Sequence, residues 1–195
     1  MIGILLAAGF SRRFGVADKL LQTLPDGRPI AVVAAENLIK AIPLTIAVIR
    51  PDNQELADLL KNAGLKVVFC EAHETEMADS LSAVVRYAAQ FNESSAGFVI
   101  ALADMPYIKP HTIKAIAHAL NAGATIVAPV YQGKRGHPVG FSANLRNELE
   151  LLTGDEGARS ILKRHADQIN LLECNDCGIL TDIDTPEDLI ARPHM

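Results

Sequence analysis

Short unbroken apolar runs alternate along this chain with longer segments whose apolar residues recur at helical spacing, and few architectures satisfy that rhythm. Ile2–Ala7 is a short continuous apolar run that suits a strand buried on both faces, and Thr45–Ile49, Lys66–Phe69, Phe98–Ala103 and Thr125–Val130 read as further strands. Between them, Ala31–Lys40, Asn53–Ala63, Asp79–Phe91 and Thr112–Leu120 read as helices. Asn53–Ala63 carries Leu56, Leu59 and Leu60 on one side and is stopped by Gly64. Asp79–Phe91 turns Leu81, Val84, Val85 and Ala88 inward. Further on, His137–Phe141 reads as a short strand, Leu145–Leu152 and Ala158–His165 as helices, and Ile169–Glu173 as a late strand. Pro186–Ala191 reads as a terminal helix with proline in its first turn. The alternation predicts a three-layer α/β/α sandwich, Rossmann-like, with a mostly parallel central sheet. Ligands of such sheets bind beyond the carboxyl ends of the strands. At 195 residues, one domain spanning 1–195 is expected.

Charge and composition exclude several classes of function. The net charge of -5 argues against a broad basic surface for nucleic acid. No apolar run approaches the length of a membrane span. The apolar start meets Arg12 and Arg13 at once, without the pattern of a secretion signal, so a soluble, cytoplasmic chain complete from its first residue is expected. The three cysteines do not suggest a disulfide framework. Cys174-Asn175-Asp176-Cys177 has CxxC spacing but follows an apparent strand instead of opening a helix, which predicts loop cysteines without a redox role.

The turn after the first strand carries most of the chemistry. Small residues at Ala7, Ala8 and Gly9 allow close backbone approach to a ligand, and their N–H groups suit phosphate oxygens or a base edge. Ser11 adds a hydroxyl, and Arg13 and Lys19 add positive charge. The spacing is neither that of a P-loop nor that of a dinucleotide-binding glycine turn. Asp104 stands just past the apolar run Phe98–Ala103, where a carboxylate calls for a cation and a hard divalent metal would meet that need. Capping of the following turn is the competing role for Asp104. Asp184 has the same two possible roles, metal ligand or participant in the turn that starts at Thr185-Pro186; Thr185 is the expected N-cap there.

These residues also carry a family resemblance. The string from Leu6-Ala7-Ala8-Gly9 through Ser11, Arg13 and Gly15 to Lys19 resembles the signature of nucleotidyltransferases that activate a phosphorylated acceptor with CTP or GTP. Further blocks follow in order: Met77-Ala78-Asp79-Ser80-Leu81, Leu102-Ala103-Asp104-Met105-Pro106, Gly136-His137-Pro138-Val139, Gly154-Asp155-Glu156-Gly157-Ala158-Arg159 and Asp182-Ile183-Asp184-Thr185-Pro186. Together they are most similar to the molybdenum cofactor cytidylyltransferase group, with Glu76 departing from the usual glycine before Met77.

The resemblance implies a nucleotidyltransferase fold and Mg²⁺-dependent transfer of CMP from CTP to a molybdopterin phosphate, with release of pyrophosphate. The Leu6-Ala7-Ala8-Gly9 form is similar to the cytidylyl branch, in contrast to the guanylyl one. By resemblance, Leu6, Ala7, Ala8, Gly9, Ser11, Arg13, Lys19, Ser80 and Asp104 bind nucleotide, with Arg13, Lys19 and Asp104 supplying catalysis. Asp104 and Asp184 hold the metal, and Lys134, Arg135, His137 and Arg159 face the acceptor, the first three of these in a loop over residues 133–138. GTP as donor, another phosphorylated acceptor, or a non-catalytic cofactor-binding protein that serves a molybdoenzyme client are the alternatives.

Overall fold

Strand β1 (Ile2–Ala7) lies between β2 (Thr45–Ile49) and β4 (Phe98–Leu102), parallel to both, and β3 (Lys66–Phe69) extends the parallel half from β2. The structure is a computed structural model that describes residues 1–9, 18–70, 77–154 and 157–189. On the other side of β4 the chain runs antiparallel in β7 (Val139–Phe141), which pairs with β5 (Ile126–Tyr131). β6 (Lys134–Arg135) returns antiparallel from β5 across a tight turn, and β8 (Ile169–Glu173) runs parallel to β5 at the sheet's edge.

Alternate residues of each central strand supply opposite faces. Leu5 and Ala7, Ala47 and Ile49, and Val99 and Ala101 join one core. It is completed by α1 (Ile30–Ala41), α2 (Gln54–Asn62) and α4 (Pro110–Asn121). Ile2 and Ile4, Ile46 and Val48, and Phe98 and Ile100 face the second core, under α3 (Met77–Ala88), α5 (Arg146–Glu150) and α6 (Arg159–Arg164). This is the expected α/β/α sandwich around a mixed, mostly parallel sheet. Burial on both sides explains the unbroken apolar runs of β1, β2 and β4, whereas β3, at the edge of the sheet, leaves Lys66 and Phe69 exposed. Leu81, Val84, Val85 and Ala88 of α3 are buried as their spacing predicts. Among the described residues, no helix is long and apolar enough to cross a membrane.

Several boundaries differ for identifiable reasons. α3 starts at Met77 and ends at Ala88, short of the expected Phe91, where the backbone turns into a 3-10 segment at Asn92–Ala96. The strand expected from His137 begins at Val139, because Pro138 has no N–H and the N–H of His137 donates instead to the carbonyl of Ile179 at 3.0 Å. The expected loop over 133–138 is largely a hairpin. Gln132 and Gly133, both with positive φ, form its two-residue turn, and Lys134 and Arg135 pair back onto β5. Pro186–Leu189 is a 3-10 turn, and the remainder of the expected terminal helix lies outside the described residues.

Cys70, Cys174 and Cys177 are thiols not joined in a disulfide. Burial raises the Cys174 thiol above its usual range, which lowers its thiolate content. The residue at work in that turn is Asp176, whose carboxylate is fully buried. It accepts from the N–H of Lys109 at 2.9 Å, the hydroxyl of Thr112 at 2.6 Å and the N–H of Gly178 at 3.1 Å. Lys109, the N-cap of α4, offers no side-chain cap of its own. Asp176 therefore caps that helix from a distant part of the chain and places a negative charge at its positive end. Asp176→Ala strands three donors and is expected to cost about 3 kcal/mol, measured as a lower urea midpoint at unchanged m-value.

Candidate active site

The carboxyl ends of β1 and β4 lie side by side, with the N–H of Ala103 donating to the carbonyl of Leu6 at 3.0 Å. Asp104 follows directly. Its own carbonyl accepts from the N–H of Ile183 at 2.9 Å, which draws the segment 182–184 alongside. Ile183 is fully buried in a small satellite core with Leu24, Ile30 and Val33. Alternation about that anchor leaves Asp182 exposed and brings Asp184 to the centre of the site.

Lys19 joins the two acids. Its Nζ donates to Asp104 Oδ2 at 2.8 Å and to Asp184 Oδ1 at 2.9 Å. The Lys19 side chain is 12 % exposed, against 24 % for Asp104 and 36 % for Asp184. Burial alone would pull the Lys19 ammonium down, but hydrogen bonds and charge from the two carboxylates outweigh it and its pKa is raised. Lys19 thus carries its charge throughout the neutral range.

The turn that presents Lys19 is held from both sides. Asp18 caps the 3-10 segment Lys19–Leu21 by accepting from the N–H of Leu20 at 2.9 Å. The other oxygen of Asp18 accepts from the side chain of Asn53, whose own carbonyl oxygen caps α2. Asp18, Asn53 and Ile183 were not among the residues expected at the site. A Ser/Thr/Asp/Asn residue ahead of a helix is visible in sequence, but the pairing of two such caps across 35 positions is not.

The donor set fits a hard divalent cation. Asp104 Oδ1 is buried and has no hydrogen-bond partner among the described residues, an orphaned carboxylate oxygen beside a second carboxylate. No cluster of three or more potential ligands occurs among the described residues. The carboxylate of Asp184 accepts from Lys19. In the expected cap the roles are reversed: Asp188 accepts from the N–H of Asp184 and from both the N–H and the hydroxyl of Thr185. Thr185 is thus a donor to this turn, not its N-cap acceptor.

At the end of β1, Leu6 and Ala8 are half-buried, Ala7 is buried and Gly9 is exposed. A Cβ on Gly9 would meet nothing within 4 Å among the described residues. Ser80 is 5 % exposed on α3. Ser11 and Arg13 lie outside the described residues, as do Glu76, Asp155 and Glu156.

On the acceptor side, Lys134, Arg135 and Arg159 are exposed. His137 is largely enclosed, and its Nδ1 is buried without a partner among the described residues. Burial lowers its pKa, opposed by the charge of Asp104 and reinforced by Arg135 and Arg159, so the ring is neutral at pH 7. Gly136 is required here by close approach: a Cβ would stand 2.2 Å from the carbonyl oxygen of Ile179. His111 and His118 are exposed on α4, His165 bonds Glu148 at 2.8 Å, and His73 and His194 lie outside the described residues.

Residues 3–169 match the model of the MobA-like NTP transferase domain. The purine catabolism protein PucB of Bacillus subtilis (strain 168) is 32% identical over 207 residues, covering 98% of this chain and 96% of that protein. Nicotine blue oxidoreductase of Paenarthrobacter nicotinovorans is 27% identical over 197 residues, covering 96% of this chain and 93% of that protein. Among solved structures, the manganese complex of Rv0371c from Mycobacterium tuberculosis H37Rv superposes with a TM-score of 0.76 at 25% identity, covering 96% of this chain and 94% of the other.

Proposed function

We propose that this chain, which belongs to the MobA-like NTP transferase domain family, transfers CMP from CTP to the phosphate of a molybdopterin-type acceptor and releases pyrophosphate. The carrying observation is the Lys19 ammonium set between Asp104 and Asp184, with one Asp104 oxygen that has no hydrogen-bond partner among the described residues. That is the arrangement needed to receive a polyanion together with a divalent cation. The metal complex of a similar fold supports the cation, and the Leu6-Ala7-Ala8-Gly9 sequence supports cytosine over guanine.

An acceptor phosphate oxygen forms a bond to the α-phosphorus of CTP, and the bond from that phosphorus to the α–β bridging oxygen breaks. Asp104 and Asp184 would hold Mg²⁺, which would supply charge neutralisation and Lewis-acid polarisation for the triphosphate. Lys19 supplies a fixed positive charge to oxygens on which negative charge builds as pyrophosphate departs. Backbone N–H groups of Ala7, Ala8 and Gly9, with Leu6, Ser11, Arg13 and Ser80, hold the nucleotide. Lys134, Arg135 and Arg159 hold the acceptor's charge. His137, neutral and enclosed, fixes the acceptor phosphate by hydrogen bonding. No side chain forms a covalent intermediate, so the rate derives from positioning and charge.

Pyrophosphate release is to be measured with each of the four nucleoside triphosphates, with and without molybdopterin, in Mg²⁺ and in Mn²⁺. The expected result is release with CTP that requires both acceptor and metal. Faster release with GTP would overturn the choice of base, and CTP binding with no release under any condition would overturn the reading as an enzyme.

A further inference from the structure

Lys19 has to be delivered to a fixed point. It carries its charge on a flexible four-carbon stem and sits on a 3-10 segment of three residues. Yet its Nζ meets two carboxylates that come from separate parts of the chain. The backbone beneath it is anchored by Leu20, which is buried in the core, and by the Gln22 side chain, which donates to the carbonyl of Asp18 at 3.1 Å. A further tie is lateral and runs from Asp18 to Asn53, 35 positions away.

Asn53 stands on rigid ground. It follows β2, which is buried along its length and paired with β1, and its N–H donates to the carbonyl of Arg50 at 3.2 Å. It opens α2, whose Leu56, Ala57 and Leu60 are fully buried. The two polar atoms of its side chain have different tasks. Oδ1 accepts from the N–H of Leu56 at 3.2 Å and caps α2, whereas Nδ2 donates to Asp18 Oδ2. Capping calls only for the oxygen, which Asp or Ser supplies as well; the amide nitrogen serves Asp18. Asp18 divides its carboxylate in the same way, with Oδ1 accepting from the N–H of Leu20 at 2.9 Å and Oδ2 accepting from Asn53.

We propose that Asn53 is a positioning residue for Lys19 and acts through Asp18: it ties the lysine turn to the corner between β2 and α2 and so sets the ammonium between Asp104 and Asp184. A charge held in place beforehand needs no reorganisation as the reaction proceeds. The reaction served rests on the transferase reading, whereas the placement of Lys19 does not. The tie has a direction, donor at 53 and acceptor at 18. Asn53→Asp keeps the cap of α2 and suits the positive end of that helix, but it sets carboxylate against carboxylate. Asp18→Asn sets amide against amide, and turning its oxygen to Asn53 forfeits the cap at Leu20. In the double variant Asp18→Asn, Asn53→Asp, position 18 donates, position 53 accepts, and both caps survive.

The placement of Lys19 is read directly from its rate of acetylation by N-hydroxysuccinimidyl acetate, followed peptide by peptide by mass spectrometry on the full chain at pH 8. The exposed Lys134 serves as internal control. Each single variant is expected to raise the Lys19 rate about 10-fold and to lower kcat about 30-fold, with KM for the acceptor unchanged. The double variant is expected to return both quantities to within about threefold of the parent, because the pair is restored with its bond reversed. Melting temperatures follow the caps and hold for Asn53→Asp. Acetylation of Lys19 that Asn53→Asp leaves unchanged would overturn the proposal, and so would a double variant as impaired as the sum of its singles. A parent protein that releases no pyrophosphate but shows the expected acetylation cycle would sink the transferase reading and leave the tie standing. An active parent whose Lys19 rate ignores all three variants would do the reverse.

Discussion

Asp104→Asn is expected to lower pyrophosphate release about 10³-fold at saturating metal and CTP, with the far-UV circular dichroism of the parent. The substitution keeps the shape of the side chain and an oxygen for Lys19 Nζ, now 2.8 Å from Asp104 Oδ2. It removes the negative charge and replaces an oxygen with an amide nitrogen that cannot ligate a cation. Lys19→Met should cost a comparable factor for the opposite reason: the acids lose the cation between them and the triphosphate loses a fixed counter-charge. The two losses are not expected to multiply, because both residues serve one charge constellation. A change of less than about threefold in Asp104→Asn would remove this residue from the chemistry and leave it the turn-capping role.

Gly136→Ala should be the most disruptive single methyl group in the acceptor-side segment. Its Cβ would stand 2.2 Å from the carbonyl oxygen and 2.8 Å from the carbonyl carbon of Ile179. The backbone has little freedom to give way. The N–H of Gly136 donates to Pro129 at 2.9 Å, and the N–H of His137 to that same Ile179 carbonyl at 3.0 Å. The expected cost is about 3 kcal/mol, or a melting temperature lower by roughly 6–12 °C for a chain of this size. Gly9→Ala is the matched comparison. Its Cβ meets nothing within 4 Å among the described residues, so its melting temperature should hold while its affinity for CTP falls. Scanning calorimetry alongside nucleotide titration separates the two glycines; a stability loss at Gly9 equal to that at Gly136 would contradict this division of roles.

The sandwich was legible because its cause is local. β1, β2, β3 and β8 occupy the spans that their apolar runs predict, and both faces of each central strand report burial directly in residue type. The ends of α3 and the proline-interrupted strand before Val139 were less legible, since they depend on where neighbouring backbone makes its hydrogen bonds. At the candidate site, Asp104, Asp184 and Lys19 could be picked out by type and by position after strands. That Lys19 would bond both acids could not, because the partners lie 85 and 165 positions away. Asp176 illustrates the same limit from the other direction. Its surroundings read as a cysteine motif, whereas the carboxylate between the cysteines is what caps α4. Long-range pairing of a cap with a foreign helix leaves no periodic trace in the chain that supplies it.

The bond from Lys19 to Asp184 also has a temporal meaning. It closes a loop of 165 residues, so it belongs to the slow, non-local class of contacts whose chain entropy must be met before they form. The parallel half of the sheet, β1 to β4, needs only the first 102 residues, and Lys19 can meet Asp104 as soon as that half exists. The second carboxylate arrives only when Ile183 docks into its satellite core against Leu24, Ile30 and Val33. During synthesis from the N-terminus, a recognisable sheet therefore precedes a competent charge cluster, and the docking of one isoleucine marks the moment at which folded chain becomes assembled site.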